Sequence, residues 1–498
     1  MNRSEKRREK KLSKKSTIKS KPVLPKGTPP QQTFSIQEAI NLAVKFHSAG
    51  DFIKAEEIYS QILAQDPNQP AALHFSGVIA HQANENEMAV ELISKALAIK
   101  PDYAEAYNNL GTALKELDRL EEAADNYRKA IDLKPDYADA FYNLGSVYEV
   151  LYKYDLAIAC YHKTLAIQPD YIKAHWNLSD IFLQRGDLKR GWQEYEWGLH
   201  LVEARGVGIS RSWPCAVWQG EPLQGKNIFV YPEQGIGDEI LFSGCITDLL
   251  SLSPNQIYLE CEPRLEPLFA RSFPSVRVCG KAKNQDCTWV GEGVDLDYYV
   301  PIGSLLKFFR NNQDDFPNRD SFLIPDTEKQ ASIRADYIHR WPNKTLVGVA
   351  WHSGNKKIGS IRSLSLDEMQ PILSHADCQF ISLQYGNVEN ELSVLKENLG
   401  IDIFFDPEID ALQNMDTFSA QIAALDLVIS IDNSTAHVAG SIGVPTWVLL
   451  NSHATWRWLS ENDTSLWYRS AHVYRQKTLG VWDDVIEQVS KDLKSKYE

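Results

Sequence analysis

The chain has 498 residues, 43% of them hydrophobic and 24% charged, and a formal net charge of −14. That composition fits a soluble protein too long for one ordinary core, with no apolar run near the roughly 18 residues of a membrane-spanning helix. Seven dispersed cysteines without a CxxC pair suit reduced thiols in a cytoplasm better than a disulfide framework or a zinc site.

Charge is unevenly spread. Residues 1–30 carry eleven Lys or Arg against Glu5 and Glu9, a net +9 that leaves −23 on the remainder. The segment 1–33 has no aromatic residue before position 34 and no apolar periodicity, so it reads as a disordered, solvated tail. A nucleic-acid arm and an anionic-membrane tether are the competing readings, and the acidic body argues against nucleic acid as the main partner. No apolar stretch comes after the basic residues, so a secretory signal is not expected.

From about residue 34 to 203 the chain repeats itself. Pro67, Pro101, Pro135 and Pro169 are each 34 residues apart, the period of the tetratricopeptide repeat, a helix–turn–helix unit. Tyr107, Leu110, Gly111, Leu114, Ala123, Tyr127 and Ala130 precede Pro135. Phe141, Leu144, Gly145, Tyr148, Ala157 and Tyr161 hold the same places before Pro169. The expectation is five units: Gly111 and Ala123 let paired helices approach, Tyr107 and Tyr127 fill the seam to the next unit, and Asp102, Asp136 and Asp170 start new helices. The fifth unit is atypical, with Trp192, Tyr195 and Trp197 crowded into its second helix, as suits a unit that caps the stack or docks on the next domain. Such a stack presents a concave groove for a protein partner. Asn108, Asn109 and Asn143 are candidates for its backbone contacts, or simply cap and solvate their helices.

Residues 204–225 mix Gly, Pro and Trp without period and read as a docked linker. Beyond them short β-branched runs (NIFVYPE, QIYLEC, VRVCG, TLVGVAWHS, CQFISLQY, IDIFF, LDLVISID, VPTWVLL) alternate with helical stretches, which argues for parallel α/β sheets. Two such sheets are expected, at 226–335 and 336–498. Ligands of such folds lie outside the carboxyl ends of the strands, so the strand ends carry the candidates.

Three strand ends stand out. After the first strand, Gly235 and Gly237 permit a tight turn, and Asp238 opens the next helix either as a cap or, facing the crevice, as a general base. After LDLVISI come Asp432, Asn433, Ser434, Thr435 and His437, where a helix N-terminus with Ser/Thr donors suits a diphosphate. The loop from Trp351 through Lys356 and Lys357 to Arg362 is polar and basic, suited to an anion or simply mobile. No GxxxxGK[ST], HExxH or GxSxG occurs. Asp295 and Asp297 resemble a metal-binding DxD but lack a matching cluster and read as structural; no metal is implied.

Glu233–Asp238, Arg362–Ser363, Leu425–Leu450 and Trp456–Trp458 together resemble bacterial tetratricopeptide-repeat glycosyltransferases, whose catalytic half is similar to the heptosyltransferase family. The resemblance covers roughly residues 226–493. It implies a multi-domain protein: an all-α repeat solenoid followed by an α/β GT-B module of two Rossmann-like doubly wound sheets, the first on the acceptor side and the second on the nucleotide-sugar side. It places the catalytic base on Asp238 and the donor motif on Asp432–His437, with Asn433 standing where relatives have Thr. Arg362 and Lys356 then join His437 in offsetting diphosphate charge. The implied activity is metal-independent, inverting glycosyl transfer to a protein or glycan hydroxyl, with the repeats recruiting the acceptor or a partner. The alternative is a non-catalytic scaffold with a degenerate GT-B domain.

Overall fold

The computed structural model of the chain describes residues 35–201, 213–280, 290, 294–354, 359–453, 455–459 and 463–497. The basic tail, linker residues 204–212 and Lys356 lie outside the described residues. The chain divides into two compact units, Met1–Lys134 and Pro135–Glu498, the division falling inside the repeat series.

The described residues of the first unit form three helix pairs: α1 (Ile36–Ser48) with α2 (Phe52–Gln65), α3 (Pro70–Gln82) with α4 (Asn86–Ile99), and α5 (Ala104–Glu116) with α6 (Leu120–Leu133). Ser35 and Glu38 form a reciprocal capping box at the start of α1. Each pair turns through one left-handed residue, Gly50 (φ 79°), Asn84 (φ 62°) and Asp118 (φ 59°). These residue types tolerate that conformation, and they recur every 34 residues. A Cβ on Gly111 would meet Tyr127 Cε1 at 2.7 Å, so glycine is what lets α5 lie against the buried tyrosine of α6. Tyr127 packs inside its own repeat, and Tyr107 stands under Lys129 of the same repeat.

The helix-start expectation also changes. α5 begins at Ala104, with Tyr103 in the cap position and no side-chain cap; the later units begin likewise after Tyr137 and Tyr171. Asp102, Asp136 and Asp170 instead occupy the preceding turn. Tyrosine serves there because its hydroxyl reaches a neighbouring helix, as Tyr103 does to His74 Nδ1 at 2.9 Å and Tyr171 to Asp139 Oδ1 at 2.9 Å.

The second unit opens with the fourth repeat, α7 (Ala138–Val150) and α8 (Tyr154–Ile167), and the fifth, α9 (Ile172–Gln184) and α10 (Leu188–Tyr195). The fifth docks on the sheet region, as its composition implies. Leu183, Leu188, Trp192 and Tyr195 share one apolar core with the first sheet. Trp192 Nε1 donates to the Arg310 carbonyl at 2.7 Å, and its ring meets Trp456 edge-on at 5.2 Å. Burying these aromatics makes this repeat part of the sheet fold.

Among the described residues eleven strands form two sheets in which every pairing of named strands is parallel. The first comprises β1 (Ala216–Val217), β2 (Asn227–Tyr231), β3 (Gln256–Cys261), β4 (Arg277–Gly280) and β5 (Tyr298–Pro301), in the order β1-β5-β2-β3-β4. The second comprises β6 (Thr345–Ala350), β7 (Cys378–Ser382), β8 (Ile403–Phe404), β9 (Leu427–Ile431), β10 (Thr446–Leu450) and β11 (Ala471–Arg475), in the order β11-β10-β9-β6-β7-β8. β9 and β10 are buried along their whole length, which their apolar runs anticipate. Three strands, β1, β5 and β11, are additions to the sequence reading. β1 lies inside the expected linker, where Trp218 is buried and Trp213 stacks on Tyr299 at 4.4 Å. Asp297 pairs with Lys226 at 2.8 Å and accepts from the Asn227 backbone at 2.8 Å, tying β2 to the approach to β5. That is the structural role expected of the Asp295–Asp297 pair.

Candidate functional site

Strand order reverses direction once in each sheet, between β2 and β5 in the first and between β6 and β9 in the second. A crevice for ligands opens outside the carboxyl ends of the strands at such a point. β2 leads into α11 (Ile236–Ser243) and β9 into α12 (Ser434–Ser441), and the two helices meet. A Cβ on Gly237 would stand 3.0 Å from His437 Cδ2 and 3.7 Å from Ser434 Cα. The bare backbone at Gly237 therefore lets the two strand–helix turns close on one another. Gly235 caps α11, its N–H donating to Asp238 Oδ2 at 3.2 Å.

On the second sheet, Asp432 and Asn433 bring the β9 chain into α12. Asn433 is the N-cap: its Oδ1 accepts from the Thr435 and Ala436 N–H groups at 2.9 and 3.4 Å and from Ser430 Oγ at 3.0 Å. Its Nδ2 and Thr435 Oγ1 are buried without a partner. Buried polar atoms left unpaired are rare, and they mark either stored strain or a place a ligand fills. Asp432 accepts from the Trp458 indole at 2.8 Å and pairs with Arg362 at 2.9 Å. Burial alone would raise its pKa, but Arg362, His437 and the indole N–H outweigh that and hold it below the ordinary carboxylate value.

His437 is buried between the rings of Trp458 and Tyr468, its Nδ1 2.9 Å from Tyr468 Oη. Burial drives its pKa down to about 4 against the pull of Asp432 and Asp238, so the ring is neutral near pH 7. When Tyr468 donates to Nδ1, the proton sits on Nε2, which is left as a donor.

Asp238 and Arg457 are separate features of the sequence, one a candidate base and the other part of a Trp-Arg-Trp segment without a role. In the fold they are partners: Arg457 Nε donates to Asp238 Oδ1 at 2.6 Å, and Nη2 donates to Gln234 Oε1 at 3.0 Å. Gln234 Nε2 in turn donates to Tyr195 Oη of the fifth repeat. Backbone strain flanks this chain of contacts, with Gln234 at φ 58° and Leu459 at φ 47°. The structure thus gathers Gly235, Gly237, Asp238, Arg362, Asp432, Asn433, Ser434, Thr435 and His437 in one place, and adds Arg457, Gln234, Trp458 and Tyr468. The motif Trp456–Trp458 is the only sequence signal pointing to Arg457.

The groove candidates lie elsewhere. In the first unit Asn109 Nδ2 lies 2.8 Å from His74 Nε2 of the preceding repeat, and Asn108 Nδ2 donates to Asn109 Oδ1 at 3.4 Å. His74 is buried, which lowers its pKa to about 4. In the second unit the Asn143 carbonyl accepts from Ser146 Oγ at 2.8 Å. Among the described residues no group of three or more His, Cys, Asp or Glu is placed to hold a metal, and no helix is long and apolar enough to cross a membrane.

Comparison with known proteins agrees on the repeats. Models of the TPR repeat match residues 77–118 and 112–150, and one of the tetratricopeptide repeat matches 138–171. The protein is a tetratricopeptide-repeat protein with a C-terminal region of parallel sheets. It is 31% identical over 326 residues to Protein FlbA of Caulobacter vibrioides (strain ATCC 19089 / CIP 103742 / CB 15), an overlap that takes in 63% of this chain and 54% of FlbA. The chain thus spans about half the length of the curated relative it matches. Among solved structures, the crystal structure of MamA is 31% identical with a TM-score of 0.30, covering 32% of this chain and 93% of that one. A thermophilic TPR protein of Thermus thermophilus is 24% identical with a TM-score of 0.30, covering 33% and 91%.

Proposed function

We propose that this protein is a glycosyltransferase of the GT-B fold that moves a sugar from a nucleotide-diphosphate sugar to an acceptor hydroxyl, without a metal and with inversion. The observation that carries the reading is the meeting of two strand–helix turns at Gly237 and His437, each at the reversal point of a parallel sheet. The diphosphate would lie at the start of α12 beside the buried, unpartnered Asn433 Nδ2 and Thr435 Oγ1. Arg362 and the His437 Nε2–H would offset the charge of the departing nucleotide, an electrostatic role of the oxyanion-hole kind. Asp238 would take the acceptor's hydroxyl proton as the new O–C bond forms and the sugar–phosphate bond breaks, the electron pair leaving on the diphosphate. To do so it must exchange its bond to Arg457. The repeats would recruit the acceptor, consistent with their architecture as a protein-interaction scaffold.

A second reading is a scaffold whose sheet region is no longer catalytic. It is favoured by Asn433 Oδ1, which already occupies two helix N–H groups, and by Arg457, which occupies Asp238. A thermal-shift screen with ADP-, GDP- and UDP-sugars separates the two: stabilisation by one of them supports the transferase, and no shift with any supports the scaffold. Asp238→Asn should then abolish turnover with the donor that binds, and full activity would remove Asp238 as the base.

A further inference from the structure

The ionised side chains of the site pair off. Arg362 holds Asp432 at 2.9 Å and Arg457 holds Asp238 at 2.6 Å, while buried His437 is neutral near pH 7. A diphosphate seated at the start of α12 therefore meets no uncompensated positive charge from these residues. It must draw a guanidinium away from a carboxylate, and the two pairs differ in what that leaves behind.

Releasing Arg362 would strand Asp432, which is 6% exposed and keeps only the Trp458 indole N–H. A buried carboxylate without its cation is strongly disfavoured. Releasing Arg457 would leave Asp238 in the first turn of α11, where the helix dipole favours an anion and Oδ2 keeps the Gly235 N–H at 3.2 Å. Asp238 is also the carboxylate that needs its lone pairs to work as a base. Nε and Nη2 of Arg457 both point at one of its oxygens, Oδ1. Arg457 is thus the guanidinium that the site can release.

Its surroundings suit such a move. Nη1 has no hydrogen-bond partner among the described residues. The group lies over the Trp456 ring at 4.4 Å, a face that attracts a cation without fixing which hydrogen bonds it makes. Burial weighs most on the pKa values of Asp432 and His437, but the Arg457 charge pulls both down, so it stands within electrostatic reach of the start of α12. The single turn Trp456–Trp458 that carries it ends at Leu459, with φ 47° and ψ 163°, and its partner Gln234 has φ 58°. Neither is glycine, and strain of this kind is kept where a fold switches between two arrangements.

We propose that Arg457 is a donor-operated latch on Asp238. The guanidinium holds the carboxylate and Gln234 until the diphosphate of a nucleotide sugar draws it to the start of α12, which frees Asp238 to take the acceptor's proton. This rests on the glycosyl-transfer reading and adds an order to it, the acceptor hydroxyl being engaged only after the donor is seated. Tyr195 of the fifth repeat holds Gln234 from the other side and so steadies the closed latch.

The test is diphosphate affinity in variants of the whole chain. ADP, GDP, UDP and inorganic pyrophosphate are titrated by calorimetry into wild type, Asp238→Asn, Arg457→Gln, the double variant and Gln234→Asn. Asp238→Asn should tighten binding roughly tenfold, because Arg457 is no longer contested, but no more than about twofold when Arg457 is already Gln. Arg457→Gln alone should weaken binding. Gln234→Asn changes no charge and suits the left-handed backbone, so it should fold; its shorter side chain releases Nη2 and should tighten binding about threefold. Equal tightening by Asp238→Asn in both backgrounds is plain charge repulsion. That result, or no tightening by Gln234→Asn, would overturn the latch and leave the donor reading in place. Should Arg457→Gln fail to fold, Gln234→Asn decides alone. Binding by none of the proteins would sink the donor reading, and the latch with it.

Discussion

Asp238 and Arg457 are 219 residues apart in sequence and form one ion pair, 2.6 Å from Nε to Oδ1, that joins the turn after β2 to the loop after β10. Both side chains are largely buried, at 14% and 17% exposure. A buried pair broken on one side leaves an uncompensated charge, which typically costs about 3–5 kcal/mol. Arg457→Met should therefore destabilise the second unit by an amount of that order. Asp238→Asn combined with Arg457→Met should recover part of the loss, because the orphaned carboxylate is gone. Urea midpoints of the two single variants and the double variant check this by tryptophan fluorescence; strictly additive losses would mean that the pair is not coupled. All 13 tryptophans lie between positions 176 and 482, so the signal belongs to the second unit.

His437 makes that unit sensitive to acid. In the unfolded chain its imidazole takes a proton near pH 6.5, but in the fold only near pH 4, because burial disfavours the cation. Between those values the unfolded state binds more protons, so stability falls as pH drops from about 6.5 to 4. The contribution is of the order of 3 kcal/mol and is fully present only above pH 6.5. His437→Gln should lose this part of the slope, whatever it does to stability at pH 7. Urea midpoints at pH 7, 5.5 and 4.5 measure it; parallel profiles for variant and wild type would contradict the assignment.

The repeats are legible in the sequence because their signal is local. A proline every 34 residues and a glycine facing an aromatic one helix later both lie within one unit, so the period carries them. The residues at 50, 84, 118, 152 and 186 are equally periodic, but only the backbone shows that this column is left-handed and that Tyr152 is its exception. The site is half legible. Gly237, Asp238 and Asp432–His437 come directly after strands whose apolar runs announce them. Arg457 and Tyr468 have no such flag, since what defines them is a partner on another element. β1 and β5 escape the pattern because two and four residues are too few to show a period, and β11 (AHVYR) because its alternation breaks at Tyr474, buried directly after Val473.

Gly111 offers a test of the intra-repeat packing. With a Cβ there 2.7 Å from Tyr127 Cε1 and 2.9 Å from two further ring carbons, Gly111→Ala cannot be absorbed without moving a helix or a buried ring. Overpacking of this kind costs about 1–3 kcal/mol. The expected result is an earlier loss of helical circular dichroism in the first unit. Gly111→Ala combined with Tyr127→Leu should restore part of it, since the shorter side chain vacates the contact. A single variant as stable as wild type would show that the helices are not held at this separation.

The fifth repeat should behave as part of the sheet fold, because its aromatics are buried in the core of the first sheet. Trp192 is buried, hydrogen-bonded to the Arg310 carbonyl and set against Trp456, the residue next to Arg457. Tyr195 holds Gln234, which holds Arg457. Removing residues 34–169 leaves α9 and α10 in place, so the remaining chain should still be stabilised by the nucleotide sugar that stabilises the whole protein, while losing transfer to acceptor. Removing 34–203 takes Trp192 and Tyr195 as well and opens the core they share with the first sheet. Trp192→Ala alone should cost about 3–5 kcal/mol, the usual range for emptying a buried tryptophan site. Comparing thermal shifts of the two deletions decides the matter. If the longer deletion keeps the nucleotide response, the fifth repeat is only a tether; if it alone loses the response, the repeat builds the floor on which Arg457 stands.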